Sequence, residues 1–291
     1  MPTSSVLSEF TFHNLGPLTT TWTAPASCAT SVGDVRIGIT QRPGQYLYGA
    51  SCQVKDFSCV PTGTSTDPAL ATNLNPTNLF QDAYFSPGLY CPSGWTTAGL
   101  ASRKGTASVT WSGLFSPSAI PTSVDGGIFN EPANVLMQLL DPSETAMICC
   151  PSSMTAGPFI GCYSTLPDYK FTTGCENGIP PADISAVDRT FWFDGQTIEA
   201  SIYTLVGTVP LTHTLAVIFE PSYTSTLVAY SVLPFVTMIH KPADYTATAT
   251  AAATSNAAVR LSSTTGSWDV MGLFFAVTVL SMVLGAAIIL V

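Results

Sequence analysis

Apolar and polar positions alternate with a period of two along several stretches of this chain. Val35–Thr40 (VRIGIT) and much of Ala107–Phe115 (ASVTWSGLF) follow that pattern, which sends successive side chains to opposite faces of a strand. Thr190–Phe193 and Thr197–Val206 are rich in aromatic and β-branched residues. The Asp194-Gly195 dipeptide between them is a strong signal for a two-residue hairpin turn. Thr214–Phe219 and Thr226–His240 predict further strands, the second broken at Pro234. No window ahead of the C-terminal tail carries helical periodicity. Gly- and Pro-rich segments such as Pro61–Pro76 and Pro117–Pro132 read as loops. The fold class expected is therefore all-β, a disulfide-braced, sandwich-like ectodomain over residues 1–245, with a subdivision near residue 180.

The pattern changes at the C-terminus. Thr246–Ser255 (TATATAAATS) has little power to build a core, and residues 246–267 read as a Thr/Ala/Ser-rich stalk and spacer whose hydroxyls could carry O-linked sugars. Residues 268–291 form an apolar segment. Its last 22 residues, Val270–Val291, contain no charge and no proline, and as a helix they would span roughly 33 Å, enough for a bilayer core. Asn256-Ala257-Ala258 supplies three small residues, Val259–Ser267 a mostly polar spacer, and no Lys or Arg follows the apolar run. Those parts match a glycosylphosphatidylinositol (GPI) attachment signal with the lipid on Asn256, Ser255 and Ser262 being alternative sites. The alternative is a single C-terminal transmembrane helix. Either way the expectation is a chain held by its C-terminus at the cell membrane and facing the extracellular surface. Met1–Leu18 has neither a basic start nor an apolar run of signal-peptide length, so this topology expects further coding sequence upstream of Met1.

Composition supports that topology. Charged residues make up only 9% of the 291, well below the roughly 25% of an average soluble domain, while the apolar fraction is 46%. Surface polarity must come from hydroxyls and amides. The net charge is −9, and the basic residues stand singly apart from Arg103-Lys104, so the clustered cations that neutralise phosphates are missing and nucleic acid is not an expected partner. Asn75-Pro76-Thr77 places the forbidden proline inside its sequon, so Asn-linked sugar is not expected.

All eight cysteines, Cys28, Cys52, Cys59, Cys91, Cys149, Cys150, Cys162 and Cys175, lie in the first 175 residues. An even count in a low-charge chain predicts a disulfide framework and an oxidising compartment. One short bridge, Cys52–Cys59, is expected to close a local loop. Adjacent Cys149 and Cys150 are expected to bond two different partners, with Cys162 and Cys175 the nearest candidates. No metal is expected, because metal sites favour spaced Cys/His pairs, and His13, His213 and His240 are far from Cys149-Cys150 in sequence. Tyr90-Cys91-Pro92-Ser93-Gly94-Trp95 is echoed by Cys149-Cys150-Pro151-Ser152-Ser153-Met154, and in each copy the Pro-Ser pair predicts a tight turn pinning a strand end to a disulfide.

Asn14–Cys28 (NLGPLTTTWTAPASC), Phe85–Trp95 (FSPGLYCPSGW) and Glu144–Ser152 (ETAMICCPS) resemble motifs of uncharacterised surface proteins of filamentous ascomycetes. The resemblance covers roughly residues 14–175 in spaced motifs. It implies a cysteine-bearing ectodomain, a Ser/Thr-rich stalk and a membrane-proximal apolar segment, and no activity. Two departures are visible, the missing signal peptide and Ser153-Met154 in place of a Gly-aromatic pair.

Chemistry is sparse. No G-x-S-x-G elbow, phosphate loop or dinucleotide fingerprint occurs, and His13, His213 in its Thr-rich approach and His240 at a strand end each read as a satisfied or exposed histidine. Asp183, Asp188, Asp194 and Glu199 gather near Phe191, Trp192 and Phe193, the arrangement closest to the paired carboxylates of a glycoside hydrolase. Trp22, Trp95, Trp111 and Trp192 are the aromatics that could stack on sugars. No cofactor is expected. The function expected is that of a non-enzymatic surface or wall protein with a structural or adhesive role. A carbohydrate-binding module, with wall glycans as partners, is the first alternative and a surface hydrolase the second.

Overall fold

The computed structural model describes residues 2, 6–7, 10–30, 33–40, 46–52, 58–63, 81–105, 109–117, 130–158, 161–178, 184–194, 196–205 and 213–246. Asp183, most of Pro61–Pro76 and Pro117–Pro132, the stalk beyond residue 246, Asn256 and the apolar tail lie outside them. The chain divides into two compact units, Met1–Asp244 and Tyr245–Val291, and all that follows concerns the first.

That unit is mostly β. The strands are β1 (Val6–Leu7), β2 (Phe10–Asn14), β3 (Asp34–Ile39), β4 (Tyr46–Gly49), β5 (Gln81–Tyr84), β6 (Trp95–Arg103), β7 (Val109–Gly113), β8 (Thr145–Pro151), β9 (Thr155–Gly157), β10 (Gly161–Leu166), β11 (Thr173–Gly178), β12 (Ile184–Phe193), β13 (Gln196–Leu205), β14 (His213–Ile218), β15 (Leu227–Leu233) and β16 (Val236–His240). One sheet runs β14-β11-β4-β3-β15-β10-β9, a second β16-β8-β6-β7 and a third β1-β2-β5, while β12 and β13 form a hairpin. Strands from both sides of residue 180 share the large sheet, so its order does not follow a subdivision there.

The broken run Thr226–His240 explains how sheets connect. Pro234 cannot donate to a ladder, so β15 ends at Leu233 and the chain re-enters a different sheet at Val236. Every residue of β16 is buried. Ile239 faces a core cluster with Phe10, Phe12, Ala146 and Ile148, whereas Val236 and Met238 face another with Leu15, Phe85 and Cys149. A strand covered on both faces has no reason to alternate in polarity, and VTMIH shows no period of two. Phe85 extends this arrangement: its N–H donates to Thr237 O (2.9 Å) and its carbonyl accepts from Ile239 N (2.8 Å), joining the β1-β2-β5 sheet to β16.

The echoed motifs lie side by side. Trp95 pairs with Pro151, Thr96 with Cys150 and Thr97 with Cys149, and each copy closes the expected turn, Trp95 N to Pro92 O (3.0 Å) and Met154 N to Pro151 O (2.9 Å). Gly94 has φ 78°, so its copy needs a residue without Cβ, whereas Ser153 keeps negative φ and needs none. The Gly-to-Ser departure thus reflects a different backbone conformation in the second turn.

The four disulfides are Cys28–Cys59, Cys52–Cys175, Cys91–Cys149 and Cys150–Cys162. The expected Cys52–Cys59 loop is incorrect. Cys52 follows β4, whose Gly49 pairs with Cys175 on β11, so sheet pairing delivers Cys175 to Cys52 from 123 residues away. Cys59 meets Cys28 of the 3-10 turn Ala26–Thr30 instead. Cys149 and Cys150 do bond different partners, because consecutive residues of β8 point to opposite faces, but of the two expected partners only Cys162 is one: Cys149 meets Cys91, and Cys175 is taken by Cys52.

A helix absent from the sequence reading, α1, spans Pro132–Leu139. Proline at its start suits a helix N-terminus. Six of its eight residues are buried, Asn134 among them, so no single apolar stripe betrays it. Its polar stripe does have helical spacing: Asn130, Asn134 and Gln138. Asn134 Nδ2 donates to Trp192 O (3.1 Å) and to Asn130 Oδ1 (2.8 Å), and Gln138 Oε1 accepts from Trp192 N (3.4 Å). Two side-chain amides thereby satisfy the outward backbone groups of Trp192, as a neighbouring strand would. Asn134→Ala is expected to lower folding stability by about 1–3 kcal/mol by stranding the Trp192 carbonyl, measurable by denaturant unfolding. Equal stability of this variant and the parent would show that the clamp is not needed.

Candidate functional site

The acidic and aromatic patch lies on the β12–β13 hairpin. Asp194 takes φ 47°, the left-handed conformation that a two-residue Asp-Gly turn demands, and Phe193 pairs with Gln196 across it. Strand alternation then sorts the side chains. Phe191, Phe193 and Ile202 bury one face. The other face carries Asp188, Thr190 and Trp192 from β12 opposite Ser201, Glu199 and Thr197 from β13.

Asp188, Arg189, Thr190, Glu199, Ala200 and Ser201 line an open trough of about 480 Å³. Ser201 Oγ donates to Asp188 Oδ1, and Arg189 Nη1 to the Asp188 carbonyl (3.3 Å). Glu199 lies diagonal to Asp188 on the same face, since the register pairs it with Thr190, and the two carboxylates therefore sit roughly 5.5–8 Å apart at Cβ. Asp188 and Glu199 are both exposed. Such a trough can accept hydrogen bonds from hydroxyls, but it holds neither carboxylate in the dry environment by which hydrolases set one carboxyl apart from the other. Asp194 belongs to the turn.

Trp192 and Trp111 meet edge to face, ring centroids 5.7 Å apart and 75° between planes, and both rest half-exposed against the core. Trp95 packs beside Cys91 and Cys149, a structural position. Trp22 is half-exposed. The histidines do not converge. His13 lies on β2 and His213 begins β14, while His240 ends β16, buried, with Nδ1–H donating to Gly88 O (3.0 Å).

A buried polar group surrounds the end of β16. Glu144, fully buried, accepts from Asp141 N at Oε2 (2.9 Å) and lies 3.7 Å from Lys241 Nζ. Burial, with the charges of Glu144 and Asp141, pushes the Tyr84 phenol upward. These contacts tie β16, β8 and β5 together at the point where the chain leaves for residue 246. Burial also holds the His240 imidazole below its usual range, and raises the Asp82 carboxyl to about 6, partly offset by Ala83 N–H.

The two shifts act oppositely on stability. Asp82, raised in the folded state, binds its proton there more tightly than when unfolded, so stability falls as pH rises from about 4 to about 6. His240, lowered, makes stability fall as pH drops below its ordinary 6.5. Asp82→Asn keeps the acceptor for Ala83 N–H and removes the partly buried charge. It is expected to raise stability at pH 7 by up to about 3 kcal/mol and to abolish the decline between pH 4 and 6, read from urea midpoints across pH. An unchanged pH profile would place Asp82 in water.

Among the described residues no group of three or more His, Cys, Asp or Glu is arranged to hold a metal ion, and no helix is long and apolar enough to cross a membrane. No protein family, curated protein or solved structure matches the chain.

Proposed function

We propose that this chain is a non-enzymatic surface protein of fungal type whose β-rich ectodomain packs as a disulfide-braced sandwich and is held to the membrane by its C-terminal apolar segment, through a lipid on Asn256 or as a retained helix. Its role is structural or adhesive, and residues 246–255 form an O-glycosylated stalk. The observation that carries the reading is the pairing of all eight cysteines across segments as far apart as Cys52 and Cys175. Four such bridges belong to a chain matured in an oxidising compartment. The open hairpin trough, without a dry carboxylate pair, favours contact over catalysis.

The test is made on the full chain isolated from cells. Alkylation before reduction should leave all eight cysteines unmodified, and phospholipase should release the protein with a C-terminal peptide ending at Asn256. A retained helix would resist release, while reactive thiols throughout would overturn the surface reading.

A second reading rests on Trp192, which lies on the same face as Asp188, Thr190, Glu199 and Ser201. An aromatic ring beside hydroxyl-binding acceptors is the chemistry of saccharide recognition, with wall glycans as ligands. Retention on chitin or β-glucan that is lost in Trp192→Ala would support it, and release of reducing sugar would instead revive the hydrolase alternative.

A further inference from the structure

We infer that the free edge of β14 is a self-association surface, on which a second copy of this chain adds its own β14 antiparallel to extend the seven-stranded sheet. The argument starts from hydrogen-bond direction. Phe219 N–H donates to Thr172 O on the β11 side (2.9 Å), and the ladder continues that pairing through Val217, Leu215 and His213. Thr214, Ala216 and Ile218 therefore turn their N–H and C=O groups away from β11, and among the described residues these groups meet no partner.

Several other edges are blunted, although β7 and β13 also end their sheets. β9 is three residues long and β1 two, and the outward groups of Trp192 on β12 are taken by the amides of α1. β14 has six residues with no charge of Lys, Arg, Asp or Glu, no proline and no bulge, so three of the devices that protect sheet edges are missing from it. Its apolar side chains are unusually open: Ile218 is 82% and Leu215 52% exposed.

The strand is complementary to itself. With Ala216 opposite Ala216 of the second copy, the outward residues pair as Thr214 with Ile218 and Ile218 with Thr214. Three such pairs exchange about six hydrogen bonds, and a shift of the two-fold by one residue leaves about four. The same register sets Leu215 against Val217 on one face and brings Ile218 diagonal to Ala216 on the other. Charge does not oppose it, although the chain carries −9. The two Glu220 residues would lie roughly 27 Å apart along the strands, well beyond the screening length.

Ala216→Cys in the full chain tests the register, because paired residues of this type stand about 5.5 Å apart, within disulfide reach. The expected result is a covalent species of twice the chain mass under mild oxidation, absent from Glu220→Cys. Ala216→Pro removes one outward N–H without touching the β11 ladder and should leave a monomer by sedimentation at concentrations where the parent dimerises. Should that variant misfold, Ile218→Lys serves the same purpose. A parent that stays monomeric up to about 100 μM, or equal cross-linking at positions 216 and 220, would overturn the inference.

Discussion

Replacing Cys52 and Cys175 together by alanine is expected to cost about 4 kcal/mol of folding free energy. The bridge spans 123 residues, but Cys91–Cys149 and Cys150–Cys162 both lie inside that span and shorten the path, leaving an effective loop of about 53 residues. Loop-closure entropy for that length amounts to roughly 4 kcal/mol, and the 58-residue Cys91–Cys149 loop carries about the same. Cys150–Cys162, closing 12 residues, should cost about 3 kcal/mol when removed in the same way. Denaturant unfolding of the double-alanine variants orders them. A Cys150–Cys162 loss exceeding the others would mean that native packing around β8 and β10, rather than chain entropy, sets the contribution of each bridge.

Phe85→Ala should lower stability by about 3–5 kcal/mol, the cost of emptying a packed aromatic site, and depress the melting temperature by roughly 8–15 °C. Phe85 is 1% exposed, packed with Leu15, Val236 and Met238. Its backbone bonds to Thr237 and Ile239 survive the substitution, so the loss reports the cavity alone. Phe85→Leu, which fills much of the same space, should recover more than half of it. A melting temperature unchanged by Phe85→Ala would mean that the junction between β5 and β16 holds without its side chain.

Seven of the sixteen described strands, β3, β7 and β12–β16, were legible because their signals are local. Asp194-Gly195 selects a two-residue turn through the backbone conformation those residues tolerate, and Pro234 ends a strand by lacking a donor. The turn after each Cys-Pro-Ser needs only a few residues. Divergent bonding of Cys149 and Cys150 likewise follows from the two-residue period of a strand.

Pairings between distant segments were not legible. The Cys52–Cys59 expectation rested on proximity along the chain, whereas β4–β11 pairing sets the actual partner, and no local signal reports which strands become neighbours. Helix α1 escaped because burial on nearly every side erases amphipathic contrast, although Asn130, Asn134 and Gln138 keep helical spacing. Within the candidate trough, Asp188 and Glu199 were legible as residues. Their place on one exposed face beside Ser201 depends on hairpin register, a property of two strands together.

By itself, then, the sequence determined a β-rich chain, its turns, its cysteine economy and its apolar C-terminal segment, all consequences of near neighbours and composition. Tertiary structure alone decided which cysteines meet, which strands are covered on both faces, and that β14 pairs on one side only among the described residues. Those outcomes depend on what packs against each element, and the physical forces responsible, apolar burial and hydrogen-bond satisfaction, act between residues as far apart along the chain as Cys52 and Cys175.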